Sequence, residues 1–148
     1  MPTDTATRTV VVEAPLGRVL ETLRDVERTP DWVSDIKEVE VQTRNDDGTP
    51  LTAKVAASTA VGTDRYTLRY EHSPDGMSWH LVEGRLQTGQ DAEYRLRPLD
   101  DQRTEVVFTL TISHNLPLPG FLRSRTIRGL VANNTDGLVE HLSPAARS

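Results

Sequence analysis

The chain has no cysteine among its 148 residues, which excludes disulfide bonds, thiol nucleophiles and cysteine-ligated metals. No apolar run approaches the ~20 residues that a membrane-spanning helix needs. Residues 1–6 also lack the basic-then-apolar layout of a signal peptide. We therefore expect a cytoplasmic protein without integral membrane association.

The chain also has no excess of positive charge. It has 17 Lys and Arg residues against 22 Asp and Glu residues, with a formal net charge of −5. Nucleic-acid binding needs concentrated basic side chains, so we expect no nucleic-acid partner. The four histidines form no HExxH pattern and no i, i+4 pair, which predicts no metal site. No cofactor is expected.

The length fits one domain, predicted to span 1–148 with loose ends near 1–6 and 143–148. Only 36% of the residues are hydrophobic, a slightly lean fraction that is compatible with a hollow core. A β-branched run at 7–13 predicts a first strand, after which Pro15 starts a helix. A short second helical piece is expected at 31–35. The first helix is predicted by apolar residues at helical spacing, namely Leu16, Val19, Leu20 and Leu23.

After residue 35 the apolar period changes to two, which predicts six strands joined by hairpins. Each strand has one polar and one apolar face, as in an antiparallel sheet with one face exposed to solvent. Turns are predicted at short polar or glycine-containing segments, namely 45–48, 62–64, 74–76, 88–91 and 100–102.

A long helical pattern follows the proline-rich break at 116–120 and runs from about Phe121 to Leu142. Its apolar stripe is interrupted at Asn134, where a packed helix would favour leucine. A sheet of seven strands twists and curls, so a helix that packs across its apolar face leaves a space between helix and sheet. The sequence therefore predicts an α+β domain with a cavity between a curved antiparallel sheet and its last helix.

Four segments, at 10–41, 64–70, 78–84 and 117–121, together resemble the START-like superfamily. Its members are also described as SRPBCC or helix-grip proteins, and as polyketide cyclase/dehydrase and lipid transport proteins. The resemblance is carried by VVVEAPLGRVLETLRDVERTPDWVSDIKEVEV, DRYTLRY, SWHLVEG and PLPGF, and it extends over nearly the whole chain. It implies a helix-grip fold, with two short helices after the first strand, and a hydrophobic tunnel beneath the long helix.

The resemblance implies several functions. Members of the superfamily carry lipids or plant hormones, chaperone coenzyme Q, or fold and dehydrate aromatic polyketides, and one toxin group acts on ribosome assembly. We predict binding or transport of a hydrophobic small molecule, such as a lipid, isoprenoid or polyketide-like compound, by a monomer or homodimer. The alternatives are a polyketide aromatase/cyclase or dehydratase and a protein-interaction module of the ribosome-associated toxin type.

A binding protein is favoured over an enzyme by the position of two arginines. The ring-forming cyclases rely on arginine, tyrosine and tryptophan inside the pocket. Here Arg65 and Arg69 alternate with Tyr66, Leu68 and Tyr70, so they are predicted to face solvent.

Two polar residues are candidates for chemistry. Asn134 either hydrogen-bonds a ligand oxygen from the apolar stripe or lies at a wet edge of the helix. Glu83 shares a predicted strand face with Trp79 and Leu81, where a desolvated carboxyl is a candidate general acid. Its alternative role is an ion pair with Arg85.

The other ligand-binding candidates are apolar, aromatic or imidazole side chains on the predicted cavity faces. Each has packing or loop bracing as its alternative role. Trp32 is expected at the pocket mouth, because its segment connects the first helix to the sheet. The full set is Trp32, Tyr66, Tyr70, Trp79, Phe108, His114, Leu130 and Asn134.

Overall fold

The computed structural model describes residues 3–59, 62–114 and 119–143. Within these ranges the chain forms seven strands, two α-helices and a short 3-10 helix. The strands are β1 (Thr3–Val12), β2 (Ile36–Arg44), β3 (Pro50–Thr59), β4 (Gly62–Ser73), β5 (Gly76–Gly84), β6 (Gln87–Asp100) and β7 (Arg103–His114). The helices are α1 (Leu16–Arg24), the 3-10 helix (Val26–Asp31) and α2 (Gly120–His141).

All seven strands form one antiparallel sheet in the order β1-β7-β6-β5-β4-β3-β2. Strands β2 to β7 follow each other as hairpins, and β1 joins the free edge of β7. The predicted α+β fold, a curved seven-stranded sheet with a long C-terminal helix, is confirmed. The proline-rich break at 116–120 lies mostly outside the described residues.

Strand β1 begins earlier than the sequence predicts. Residues 3–6 were expected to be loose, but they pair with β7. The hydroxyls of Thr3, Thr5 and Thr7 lie 2.8, 2.9 and 3.0 Å from hydroxyls of the opposite residues. These cross-strand pairs extend the ladder with side chains that carry no apolar signal.

The second helical piece also differs from the prediction of 31–35, because it spans Val26–Asp31. Pro30 lies inside it. A helix this short tolerates proline, since few of its backbone N–H groups need an intrahelical partner. The amide of Trp32 then closes the segment by donating to the carbonyl of Thr29 at 3.1 Å.

Helix α2 confirms the predicted long helix and lies against β1 and β7. Ile127, Val131 and Leu138 are buried on its inner face. Gly137 brings the helix close to the segment before β2, because a Cβ there would lie 1.8 Å from the carbonyl oxygen of Trp32. This close approach fixes the position of Trp32 beneath the helix.

Two predicted turns are strands in the structure. The segment 62–64 begins β4, where Asp64 pairs with Ala57 and is 2% exposed. The segment 88–91 belongs to β6, and the chain instead reverses at 85–86. The turn assignment was wrong because it rested on polar composition, whereas these polar side chains hydrogen-bond to one another inside the fold.

Candidate functional site

The concave face of the sheet lines a partly open cavity of about 120 Å³. Strand β3 makes room for it, since its inward positions carry the small residues Ala53, Val55 and Ala57. Leu23 of α1 and Val26 of the 3-10 helix border one side of the cavity, and Leu130 of α2 borders another. The space predicted between sheet and helix is therefore present.

Aromatic side chains form one wall of the cavity. Tyr94 and Phe108 stack with ring centroids 4.3 Å apart. Trp79 lies 5.8 to 6.0 Å from the rings of Tyr70, Tyr94 and Phe108. We call Tyr70, Trp79, Tyr94 and Phe108 the aromatic cluster. Burial raises the pKa of Tyr70 and Tyr94 far above the usual range, so both hydroxyls are neutral at physiological pH.

A chain of polar side chains continues from this cluster along the sheet. The indole nitrogen of Trp79 donates to Oε1 of Gln90 at 2.7 Å. Nε2 of Gln90 donates to Oε1 of Gln87 at 2.6 Å, and Nε2 of Gln87 donates to Oδ2 of Asp64 at 3.0 Å. The hydroxyl of Tyr66 also hydrogen-bonds with Gln90. We call Trp79, Gln90, Gln87 and Asp64 the polar chain.

The direction of the polar chain is fixed by its two ends. An indole N–H can only donate, and a carboxylate can only accept. Each glutamine between them must therefore accept with its oxygen and donate with its nitrogen toward Asp64. Such aligned hydrogen bonds polarise one another in a low-dielectric interior.

Among the described residues that line the cavity, two have a buried polar atom without a hydrogen-bond partner. These atoms are Oδ1 of Asp64 and Nε1 of Trp32. Both residues line the cavity, and their exposed fractions are 2% and 9%. A buried polar atom without a partner costs about 1–3 kcal/mol, and more when it is charged. A polar ligand at these two atoms would remove that cost.

The cavity lining is acidic rather than basic. Among the described residues, its ionisable carboxyl groups are Asp35 and Asp64, and no lysine, arginine or histidine lines it. Burial raises the pKa of Asp35 above its usual value. Arg65 and Arg69 are exposed, as the alternation of β4 predicts.

Asn134 lines the cavity but is not an unpaired amide. Its Nδ2 donates to the carbonyl of Leu130 at 2.8 Å, and its Oδ1 accepts from the hydroxyl of Tyr94 at 3.2 Å. The amide therefore holds Tyr94 in place within the lining. Ligand contact by Asn134 stays a prediction.

Most of the predicted site residues line this cavity, but His114 and Glu83 do not. His114 is buried at the end of β7, opposite Gln87, and does not line the cavity. The residues that line it are Trp32, Tyr66, Tyr70, Trp79, Phe108, Leu130 and Asn134.

Glu83 lies on the outer face of the sheet and is exposed, so it does not share the face of Trp79 and Leu81 that alternation predicts for it. A β-bulge is the reason. Leu81 pairs with Leu68 on the inner face, but Glu83 pairs with Thr67 on the outer face, leaving Val82 as the extra residue. The bulge reverses the alternation, so Glu83 is not placed at the cavity.

The sequence analysis missed Asp35, Asp64, Gln87, Gln90 and Tyr94 as lining residues. Tyr94 alternates with Glu93 and Arg95, which is a usable signal for an inward position. Asp64, Gln87 and Gln90 lie in or beside predicted turns, and Asp35 ends the predicted helical piece at 31–35, so composition gives no sign of their burial.

Within the described part of the chain, no three acidic, histidine or cysteine side chains are grouped so as to hold a metal ion. No helix among the described residues is both long and apolar enough to cross a membrane.

Solved structures of other proteins share this fold. A START superfamily protein from Mycobacterium smegmatis has a TM-score of 0.82 at 22% identity, covering 94% of this chain and 99% of that one. The Zhui aromatase/cyclase from Streptomyces sp. R1128 has a TM-score of 0.78 at 18% identity, covering 97% and 98%. A protein from Thermus thermophilus has a TM-score of 0.78 at 24% identity, covering 99% and 100%. These identities establish similarity of fold alone.

A search of curated protein sequences gave no significant match. The family model described as polyketide cyclase / dehydrase and lipid transport matches residues 12–139. This range runs from the last residue of β1 to the last turn of α2, so it includes strands β2 to β7, the cavity-lining residues and the helices. The chain therefore belongs to the polyketide cyclase / dehydrase and lipid transport family.

Proposed function

We propose that this protein binds a largely apolar small molecule in the cavity between the sheet and α2. The supporting observation is the cavity itself, which packs aromatic side chains on one side and leaves two polar atoms without partners. Pockets of this kind bind by apolar burial and orient the ligand through a few polar groups.

The volume narrows the class of ligand. An engineered protein cavity of about 150 Å³ takes up benzene. The space here, about 120 Å³, suits one ring or a short branched chain. A ring-bearing compound of polyketide or isoprenoid type fits this proposal, whereas a long acyl chain would have to extend beyond the cavity.

Two alternatives are less well supported. Aromatase/cyclase activity would need positioning groups in the pocket, and the two arginines of β4 point away from it. A protein-interaction module has no need of an internal cavity. Binding by a monomer or homodimer in the cytoplasm, without nucleic acid, stays a prediction.

Native mass spectrometry of the protein purified from its own host tests the proposal directly. We expect a retained small-molecule mass that is lost on denaturation. A second measurement is the shift in melting temperature with propylbenzene as an apolar probe. A protein that retains no ligand and is not stabilised by the probe would contradict the proposal.

The variant Ala57→Leu sharpens this test, because Ala57 lines the cavity and a larger side chain fills it. We expect it to fold and to lose stabilisation by propylbenzene. The matched control is Thr52→Leu, on the same strand but with its side chain on the outer face opposite Arg69. The control should respond to the probe like the unmodified protein.

A further inference from the structure

We propose that the cavity selects an uncharged ligand bearing a hydroxyl group, which donates its hydrogen bond to Oδ1 of Asp64. This inference rests on the proposed function and adds the chemistry of the ligand's polar group. It follows from the polar chain, from the unpartnered atoms and from the charges of the lining.

The first step concerns the kind of partner that Asp64 accepts. Its Oδ2 already accepts from Gln87 at 3.0 Å, and Gln87 is held by Gln90 and Trp79 behind it. The carboxylate is therefore oriented by neighbouring side chains of the cavity wall. Its remaining oxygen is buried without a partner, and an ionised carboxylate only accepts. The missing partner must be a donor.

The second step concerns charge. An anionic ligand would lie beside Asp35 and Asp64, with no basic side chain among the described lining residues to offset the repulsion. A carboxylate would satisfy the unpartnered N–H of Trp32, but it would bring a third negative charge into a space of about 120 Å³. A hydroxyl group donates to Asp64 without this repulsion.

The third step concerns the body of the ligand. The aromatic cluster and the small residues of β3 contribute apolar surface to the cavity wall. Phenols and ring-bearing alcohols combine such an apolar body with one donor. We therefore infer that the ligand is of this class rather than a fatty acid or a phosphorylated lipid.

Calorimetric titration with three matched probes tests the inference. The probes are para-propylphenol, para-propylanisole, which lacks the donor, and para-propylbenzoate, which is anionic at neutral pH. A hydrogen bond to a charged acceptor predicts that the phenol binds about tenfold or more tightly than the anisole. The benzoate is expected to bind most weakly of the three.

The variant Asp64→Asn should abolish this order. Gln87 still needs an acceptor, so the new amide oxygen takes the place of Oδ2 and the amide NH₂ takes the place of Oδ1. We expect the preference for the phenol over the anisole to disappear and the benzoate to gain affinity. The control Asp91→Asn removes the same charge from an exposed position on β6 and should change none of the three affinities.

The outcomes separate the two proposals. Equal binding of phenol and anisole by the unmodified protein would overturn the inference and leave the cavity proposal standing. A preference that survives Asp64→Asn would also overturn it. Failure of all three probes to bind would overturn both proposals. If Asp64→Asn does not fold, the relative affinities of the unmodified protein for the phenol and the anisole decide whether the inference holds.

Discussion

The aromatic cluster and the polar chain share Trp79, yet they are built from different kinds of interaction. The aromatic cluster is held by contact between large buried rings, with Phe108 fully buried. The polar chain is held by directional hydrogen bonds that end at a carboxylate with one unpartnered oxygen. The cluster therefore contributes stability, whereas the chain leaves one polar atom unpartnered for the ligand that we propose.

The largest expected effect comes from breaking the aromatic cluster. The substitution Phe108→Ala removes a fully buried ring stacked on Tyr94, and it should lower the free energy of unfolding by about 3–5 kcal/mol. Urea denaturation measures this loss. The neighbouring Val107→Ala, on the opposite face of β7, should cost less than about 1 kcal/mol. Equal losses would contradict the assignment of Phe108 to the core.

The next largest loss of stability is expected where Gly137 packs closely against Trp32. A methyl group added by Gly137→Ala would lie 1.8 Å from the carbonyl oxygen of Trp32. Either α2 or the segment before β2 would therefore have to move. We expect a loss of about 2–3 kcal/mol and a shifted tryptophan emission spectrum. The control Gly129→Ala has open space around it and should gain about 0.5–1 kcal/mol from helix propensity. A neutral Gly137→Ala would contradict the close packing of α2 on this segment.

Breaking the polar chain should cost less than breaking the aromatic cluster. The substitution Gln87→Met leaves Nε2 of Gln90 and Oδ2 of Asp64 without partners, and we expect a loss of about 1–2 kcal/mol by urea denaturation. The matched control is Gln42→Met at an exposed position, where the amide hydrogen-bonds to Glu40, and it should be nearly neutral. A loss as large as that of Phe108→Ala would remove the contrast between the two regions.

The smallest effect concerns the pH dependence of stability. Burial raises the pKa of Asp35 in the folded protein above the reference value of 3.8, so folding favours the protonated carboxyl. Ionised Asp35 therefore destabilises the fold at neutral pH, and this cost fades as the pH falls toward 3.8.

The variant Asp35→Asn should accordingly melt at a higher temperature than the unmodified protein at neutral pH, with the difference shrinking on acidification. Differential scanning calorimetry across this pH range measures it. The exposed Asp46→Asn serves as control and should leave the melting temperature unchanged. A difference that grows on acidification would contradict the burial argument.

The part of the site that sequence analysis found is the part with a regular period. Tyr66 and Tyr70 alternate with charged residues on β4, and Phe108 alternates along β7, so their inward faces could be read directly. Glu83 shows the limit of this reasoning. One extra residue, Val82, reverses the alternation, and nothing in the local sequence marks the bulge.

Asp64, Gln87 and Gln90 were missed for another reason. Polar residues near glycine are typical of turns, and composition cannot tell a solvated turn from the polar end of a cavity. Their burial depends on partners distant in the chain, since Asp64 and Gln87 are separated by 23 positions.

The sequence by itself determined the order of strands and helices, the antiparallel sheet and the faces that its aromatic residues occupy, because the spacing of apolar residues is a local property. Tertiary structure alone decided that Asp64 ends a buried hydrogen-bond chain, that Asn134 is paired with Tyr94 and that Glu83 faces outward. Those outcomes depend on strand register and on contacts between distant segments, which exist only once the sheet has closed beneath its helix.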